Sequence, residues 1–491
     1  MKVEFPETAD HETMPQDHTH RTSPAESSES LGPAPSIELG LPRLTWNRLD
    51  LAVMFRYLDS ANTTPSAFSE QLYDACAKAI SDGSPRVAAR SEPPSDRARF
   101  DAICRDMRRG VSGAPLPRIA LAADGSVLTG AADAACALFL DRPVDAVRTT
   151  QVPVHFDFRF FERQGLNRDQ LDAAALRFVE SARDCFVALI WPAAQGSDDE
   201  LERILGPLVY RKEVSLNPGG AHNLLSQVYA GESWLGDPVR HYPGIQNKQV
   251  HCFRRSGPLR VLVFQKDGLE EVLAAKQAVR DVYGLGKHSI HVTDTHAEAI
   301  KVARLLLNDR SVHFLNAARP TRFAATLEMA EGFQAYLDRT GVPPDRIAID
   351  SGMVLAAYGL RETQDVDFVS SVEVADEGIF SRHGPGAHDI PVGDLLYDPR
   401  NHFHYWGLKF VSLEQVARMK RRRKAGRDVD DLGLIGPVLA ARSANPRLQN
   451  VVSHLRYVVA KGRRQVVQAT RRLGLHASLK KAQQRLRRRG R

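Results

Sequence analysis

Two carboxylates one residue apart, Asp365 and Asp367, stand in the run RIAIDSGMVLAAYGLRETQDVDFV at 346–369. Side chains on a β-strand repeat every two residues, so a strand through Val366 puts both on one face. Like charges held this close repel, and a bound divalent cation relieves the repulsion; the pair reads as a bracket for Mg²⁺ or Mn²⁺. Upstream, Ser351-Gly352 separates an apolar strand from a short helix. The missing Cβ of the glycine lets phosphate approach the backbone and the helix N-terminus. Metal beside phosphate suits phosphoryl or nucleotidyl transfer, where the cation neutralises developing charge and orients the reacting oxygens. The competing reading of Asp365 and Asp367 is a solvated strand edge.

The elements that must position these residues are a strand at 346–349, the turn at Ser351-Gly352, a helix from Met353 to Tyr358, and a strand carrying the two aspartates. Farther on, YWGLKFVSLEQVARMKRRRKAGRDVDDLGLI predicts a strand from Gly407 to Val411. A helix follows, opened by the capping box Ser412-Leu413-Glu414-Gln415. The basic run Met419–Lys424 reads equally as a solvated helix face, a nuclear-localisation-like run or a phosphate-facing patch.

On these residues the segment Arg322 to Ile435 resembles the nucleotidyltransferase superfamily, with its polymerase-beta-like fold. Asp365-Val366-Asp367 matches the family's metal motif, and Ser351-Gly352 matches its glycine turn with the two letters reversed. The run from Tyr358 to Asp367 is similar to the branch containing fukutin-like and phosphocholine-transferring proteins, which attach phosphorylated groups to glycans. The resemblance implies Mg²⁺ or Mn²⁺ on Asp365 and Asp367, donor phosphate on Ser351-Gly352, and charge offset by Arg361 and Lys409. Lys420 and Lys424 are further phosphate contacts under the same resemblance. A third catalytic carboxylate is also implied; Asp394 in GDLLYDP is the choice, with Asp398 and Asp389 as rivals.

The remainder predicts a multidomain α/β and α+β chain: an arm at 1–40, a module at 41–150, an α/β middle domain at 151–320, the domain just described at 321–440, and a tail at 441–491. The arm holds five prolines and eight acidic residues with few large apolar ones, so it is expected to be disordered, and His11, His18 and His20 to be solvated. Within 41–150, PLPRIALAADGSVLTGAADAACALFLDRPVDAVRT predicts strands at 119–122, 127–128 and 144–147, a turn at Asp124-Gly125 and a helix at 131–140. This order resembles the ParB/sulfiredoxin-like fold. The cations that meet phosphate in that family are replaced here by Gly130-Ala131-Ala132-Asp133, which implies a structural or docking role.

From Val152 to Asn316 strand-like and helical runs alternate, the pattern of a mostly parallel sheet covered by helices. Two places in it could meet a ligand. Pro218-Gly219-Gly220 opens a helix and reads either as an anion contact or as a plain turn. GKHSIHVTDTH gathers Lys287, His288, His291, Asp294 and His296 near a strand end. There, strand alternation predicts opposite faces for His288 and His291, which argues against zinc and leaves substrate contact open; Thr295 and Glu298 read as a capping box.

The net charge of +7 is unevenly placed. Residues 446–491 carry 14 Lys or Arg and no acid, leaving 52 basic against 59 acidic residues before them. Leu448, Val451, Val452, Leu455, Val459, Val466 and Leu473 recur at helical spacing among the cations, so the tail suits an anionic membrane surface, with nucleic acid or a solvated tail as alternatives. The longest apolar stretch, Cys185–Ala194, is ten residues and contains Pro192, too short to span a bilayer. The first twenty residues lack a secretory apolar core, and five scattered cysteines suggest neither a disulfide framework nor a thiolate site.

The expectation is a bacterial-type cytoplasmic enzyme, peripheral on the inner face of a membrane. It would move a nucleotidyl or substituted phosphoryl group from a nucleotide donor to a hydroxyl, such as one on a surface polysaccharide. The alternatives are a non-catalytic protein that binds DNA or nucleotide, and a nucleotidyltransferase-type toxin.

Overall fold

A computed structural model describes residues 37–40, 42–83, 96–109, 117–384 and 386–441. The three histidines of the arm and the expected amphipathic helix of the tail lie outside these residues. The last four residues of the expected arm form a strand, β1 (Ile37–Gly40), because their main chain finds antiparallel partners in a later strand.

The chain continues through α1 (Leu49–Ala61), α2 (Ala67–Gly83), α3 (Arg97–Arg109), β2 (Arg118–Leu121), β3 (Val127–Thr129), α4 (Ala131–Leu140) and β4 (Val144–Arg148). The sheet order is β1-β4-β2-β3, with β2 parallel to β4. The hairpin turn is the expected one: Gly125 sits at φ +83°, and the Asp124 carboxylate accepts from Ser126 N at 3.0 Å and Ser126 Oγ at 2.6 Å. The expected element order of this segment is present with ends shifted by a residue or two, and order alone identifies no family. Nearly every residue of α1 from Leu49 to Leu58 is buried, because the helix packs against α2, α4 and a helix of the next segment. Its entry is fixed by a fully buried ion pair, Arg48 to Asp50 at 2.6 Å.

Next come α5 (Phe158–Arg163), α6 (Arg168–Ser181), β5 (Cys185–Ile190), α7 (Asp198–Leu205), β6 (Leu208–Val214), α8 (Pro218–Val228), α9 (Ile245–Cys252), β7 (Leu259–Gln265), α10 (Leu269–Tyr283), β8 (Ile290–Val292), α11 (His296–Leu306) and α12 (Asp309–Ala317). The expected mostly parallel sheet is corrected here: the order is β6-β7-β5-β8 and every neighbouring pair is antiparallel. Strands β5 and β6, joined through α7, do run the same way, but β7 lies between them; β7 and β8, joined through α10, are likewise separated by β5. These are two interleaved split βαβ units. Alternation of element types is the same in both arrangements, so periodicity could not distinguish them.

Two expected strands are not strands. Residues 311–316 (SVHFLN) lie in α12, because Asn308 caps it, its side chain accepting from Arg310 N at 2.8 Å and Ser311 N at 2.9 Å. Residues 152–158 contribute a single bridge, Phe156 to Arg48, before Asp157 caps α5.

The last segment contains α13 (Ala324–Thr340), β9 (Ile347–Ile349), α14 (Ser351–Ala357), β10 (Val366–Ser370), β11 (Phe380–Arg382), α15 (Val392–Tyr397), β12 (His402–Tyr405), β13 (Leu408–Val411), α16 (Leu413–Arg423) and α17 (Gly426–Ala441). Its mixed sheet has the order β11-β10-β9-β13-β12. One continuous apolar core runs from Leu44 to Ile435. The expected boundaries at 150 and 320 fall between elements, and packing crosses both, α1 on α6 and α12 on β12. No helix among the described residues is long and apolar enough to cross a membrane.

Candidate metal centre

Strand β9 delivers its apolar residues to the core and ends at Asp350, which caps α14; the Asp350 Oδ1 accepts from Ser351 N at 2.7 Å. The antiparallel neighbour β10 brings Asp367 alongside, and Asp350 N donates to Asp367 O at 2.8 Å. Two histidines arrive from the segment after β11. His383 Nδ1 lies 2.8 Å and His388 Nε2 2.7 Å from the same Asp350 oxygen, Oδ2. The other face of His383 meets Asp367, with Nε2 3.4 Å from Oδ2. Ser381 Oγ donates to the second Asp367 oxygen at 3.0 Å.

Asp350 is fully buried, His388 nearly so, and the His383 and Asp367 side chains are 17% and 23% exposed, so the group is reached from the Asp367 side. Burial alone would raise the Asp350 pKa, but hydrogen bonds from His383 and His388 and their charge hold the carboxyl well below the usual range. Burial also opposes charge on His383, yet hydrogen bonds to Asp350 and Asp367 and their charge lift it to about 10. Asp367 is lowered in turn: burial opposes this, and the hydrogen bond and charge of His383 prevail. An imidazolium between two carboxylates answers the same electrostatic need that a divalent cation would.

One ligand atom from each of Asp350, His383 and His388 lies within 4.8 Å of the other two. Two imidazole nitrogens and a carboxylate suit a first-row ion such as Mn²⁺ or Zn²⁺; Mg²⁺ prefers oxygen and water. Two buried polar atoms here have no hydrogen-bond partner, Ser351 Oγ and His388 Nδ1. The donor set therefore fits the Mn²⁺ member of the expected pair better than Mg²⁺.

Of the residues singled out in the sequence, Asp367 and Ser351 belong to this cluster. Asp365 is exposed just before β10 and accepts from Thr363 Oγ1 at 2.8 Å. Gly352 is required for close approach, but by a protein group: a Cβ there would meet Thr363 Oγ1 at 2.6 Å. Arg361 forms a two-point pair with Asp431, at 2.6 and 3.0 Å. Lys420 is buried between Asp431 at 2.7 Å and Asp428 at 3.3 Å. Lys424 ends α16 in the left-handed region, exposed. Lys409 Nζ donates to Asp345 O and Leu396 O, each at 3.0 Å, in a cluster that contains none of Asp350, Asp367 or His383. Asp394 stands in the first turn of α15, accepting from Ser66 Oγ at 2.9 Å, while its rival Asp398 pairs with Arg400 at 2.7 Å and Asp389 is exposed. The carboxylate brought beside Asp367 is Asp350.

Sequence reasoning passed over Asp350, His383 and His388. A signal existed for the first, since an Asp directly before a helix at the end of an apolar run is a cap candidate. The two histidines sit in a stretch without periodicity, and nothing local ties them to Asp350. The Pro218-Gly219-Gly220 turn has a structural explanation: Asn217 Oδ1 accepts from Gly220 N at 2.8 Å, and a Cβ on Gly220 would collide with Asn316 Oδ1.

Comparison with protein-family models, with curated proteins and with solved structures finds no match to this chain.

Proposed function

We propose that the chain is a metal-dependent transferase that moves a phosphoryl or nucleotidyl group from a nucleotide donor to a hydroxyl acceptor. The observation that carries this reading is the convergence of His383 and His388 on the Asp350 oxygen, with Asp367 on the far side of His383 at the open edge. Asp350, His383 and His388 would hold the ion, and the ion would supply charge neutralisation for the donor phosphates. Asp367 lies on the open side, with Asp365 exposed two residues before it; a carboxylate there can accept the proton of an incoming hydroxyl. Arg422 and Arg423 close the other side: Arg422 holds the main-chain oxygens of Gly386 and Ala387 beside His388, and Arg423 is raised by its hydrogen bond to Asp428 and by the charges of Asp428, Asp367 and Asp350, with burial opposing. In this reading the acceptor is a glycan hydroxyl, met in the cytoplasm at an anionic membrane surface reached through the basic residues 446–491.

A second reading, a centre that binds metal and nucleotide without turnover, is favoured by the occupied turn. Thr363 fills the space over Gly352, and Arg361 is committed to Asp431. The test is consumption of the four NTPs and of CDP-linked donors with Mn²⁺ or Mg²⁺, comparing wild type with Asp367→Asn and His383→Gln. Metal-dependent turnover lost in both variants is the expected result. Metal-dependent binding with no turnover would select the second reading, and no effect of metal at all would end both.

A further inference from the structure

The second split βαβ unit borders a cavity of about 1000 Å³, between the end of α8 and the chain that follows it, α9, α10 and the start of α11. A volume of this size is that of a small-molecule site. Five cations line it, Lys248, Lys276, Arg280, Lys287 and Lys301, against three carboxylates, Glu232, Asp294 and Glu298. Two of the acids are already engaged: Asp294 by Lys276 at 3.1 Å, and Glu298 by His291 at 3.0 Å and by Asp294 N at 2.8 Å.

Lys248, Arg280 and Lys287 form no ion pair among the described residues. Lys248 donates to Lys287 O at 2.7 Å and lies 5.1 Å from the centre of the Tyr229 ring. Arg280 Nε is buried without a hydrogen-bond partner. Such uncompensated cations produce a positive field, and their neighbours register it: burial first, then Lys248, His251, Lys287 and Arg254, push His288 down to about 4. Burial depresses Lys248 itself; Cys252 opposes this, and the charges of Lys287, Arg280 and Lys276 each add to the lowering. His288 and His291 share this cavity despite their odd spacing, because His288 lies in a helical turn at Gly286–His288 and the strand starts only at Ile290. His296 turns away, to Val179 O at 2.7 Å.

Beside the cations stands an aromatic pair, Tyr229 and Trp234, with ring centres 5.1 Å apart and Trp234 42% exposed. Charge that attracts phosphate and a ring that stacks on a base are thus adjacent. We infer that this cavity binds a nucleoside di- or triphosphate, its phosphates on Lys248, Arg280 and Lys287 and its base against Tyr229 and Trp234. The site is separate from the Asp350 centre and rests on no part of the transferase reading.

The test is calorimetric titration of the full chain with ATP, ADP, AMP and inorganic tripolyphosphate in EDTA, which removes any contribution from a metal at Asp350. ATP or ADP should bind at least tenfold tighter than AMP, more weakly as salt rises. Arg280→Met with Lys287→Ala should weaken binding tenfold or more, and Trp234→Ala should bring ATP down to the affinity of tripolyphosphate. Failure of folded wild type to bind any nucleotide in EDTA would overturn the inference, as would unchanged affinity in the Arg280/Lys287 variant. Tripolyphosphate binding as tightly as ATP to wild type would overturn the nucleoside assignment. Absence of metal-dependent turnover in wild type alongside intact EDTA-resistant binding would count against the transferase reading only.

Discussion

Two clusters of buried charge lie on the same sheet, and they differ in what surrounds them. At the edge of β10, Asp350, His383, His388 and Asp367 share few groups, two polar atoms go unpartnered, and Asp367 opens to solvent. Around Lys409 on β13, the lysine meets two carbonyls, Arg304 pairs with both Glu180 and Asp345, Arg346 meets Asp59 at 2.8 Å, and His402 Nδ1 lies 3.0 Å from Leu395 O. Three buried polar atoms go unpartnered there as well, Arg56 Nε, Arg177 Nε and His404 Nδ1, but the space remaining among these groups is only about 30 Å³, room for one water. A lysine in that position ties the turn at Asp345 and helix α15 to the sheet; it does not wait for phosphate. Buried charge and unpartnered polar atoms by themselves therefore say little about chemistry, and an opening to solvent beside the cluster says more.

The comparison can be broken in several ways. Asp350→Ala leaves a charged histidine without its main acceptor, so in EDTA at pH 7 it should lower unfolding free energy by about 3–5 kcal/mol, read from urea titration. A loss under 1 kcal/mol would mean that the cluster is not coupled as described. For Lys409, burial pushes the pKa down from 10.5 to about 8, against the charge of Asp345. Below pH 8 the folded state carries the full cost of that buried charge; between pH 8 and 10.5 the native lysine loses its proton while the unfolded one keeps it, so stability rises with pH. The rise should reach about 3 kcal/mol relative to Lys409→Met, at roughly 1.4 kcal/mol per pH unit. Parallel stability curves for the two proteins across that window would contradict it.

Gly352→Ala sharpens the contrast from the other side. Its Cβ would stand 2.6 Å from Thr363 Oγ1, so a cost of about 1–3 kcal/mol is expected, more than half of it recovered by adding Thr363→Ala. A phosphate cradle with open space over Gly352 would show no such recovery. The smallest effect belongs to Asp365→Asn, exposed and held only by Thr363, which should change stability by less than about 0.5 kcal/mol while reducing any metal-dependent turnover.

Much of the architecture is visible in the sequence where the signal is local. The Asp124-Gly125 hairpin, the Thr295 and Ser412 caps, the helix at 131–140 and the strand carrying Asp367 stand within a few residues of expectation. What the sequence hides is non-local. The insertion of β7 between β5 and β6 leaves the alternation of elements unchanged. SVHFLN has the β-branched and aromatic residues of a strand, and only the Asn308 side chain commits it to α12. For the site, a D-x-D spacing points to Asp367, while its partners depend on a strand neighbour and on two histidines sixteen and twenty-one residues beyond it. Lys409 and Lys420 have the residue type of phosphate contacts, and their burial against carbonyls and carboxylates follows from packing that no short motif encodes.

The central claim, a metal centre at Asp350, His383 and His388, is tested most directly by titrating Mn²⁺ into EDTA-treated, dialysed protein and following free ion by electron paramagnetic resonance. One ion bound per chain is the predicted result, with that binding lost in a folded His383→Gln/His388→Gln variant. No stoichiometric Mn²⁺ on folded wild type, or equal binding by the variant, would contradict it.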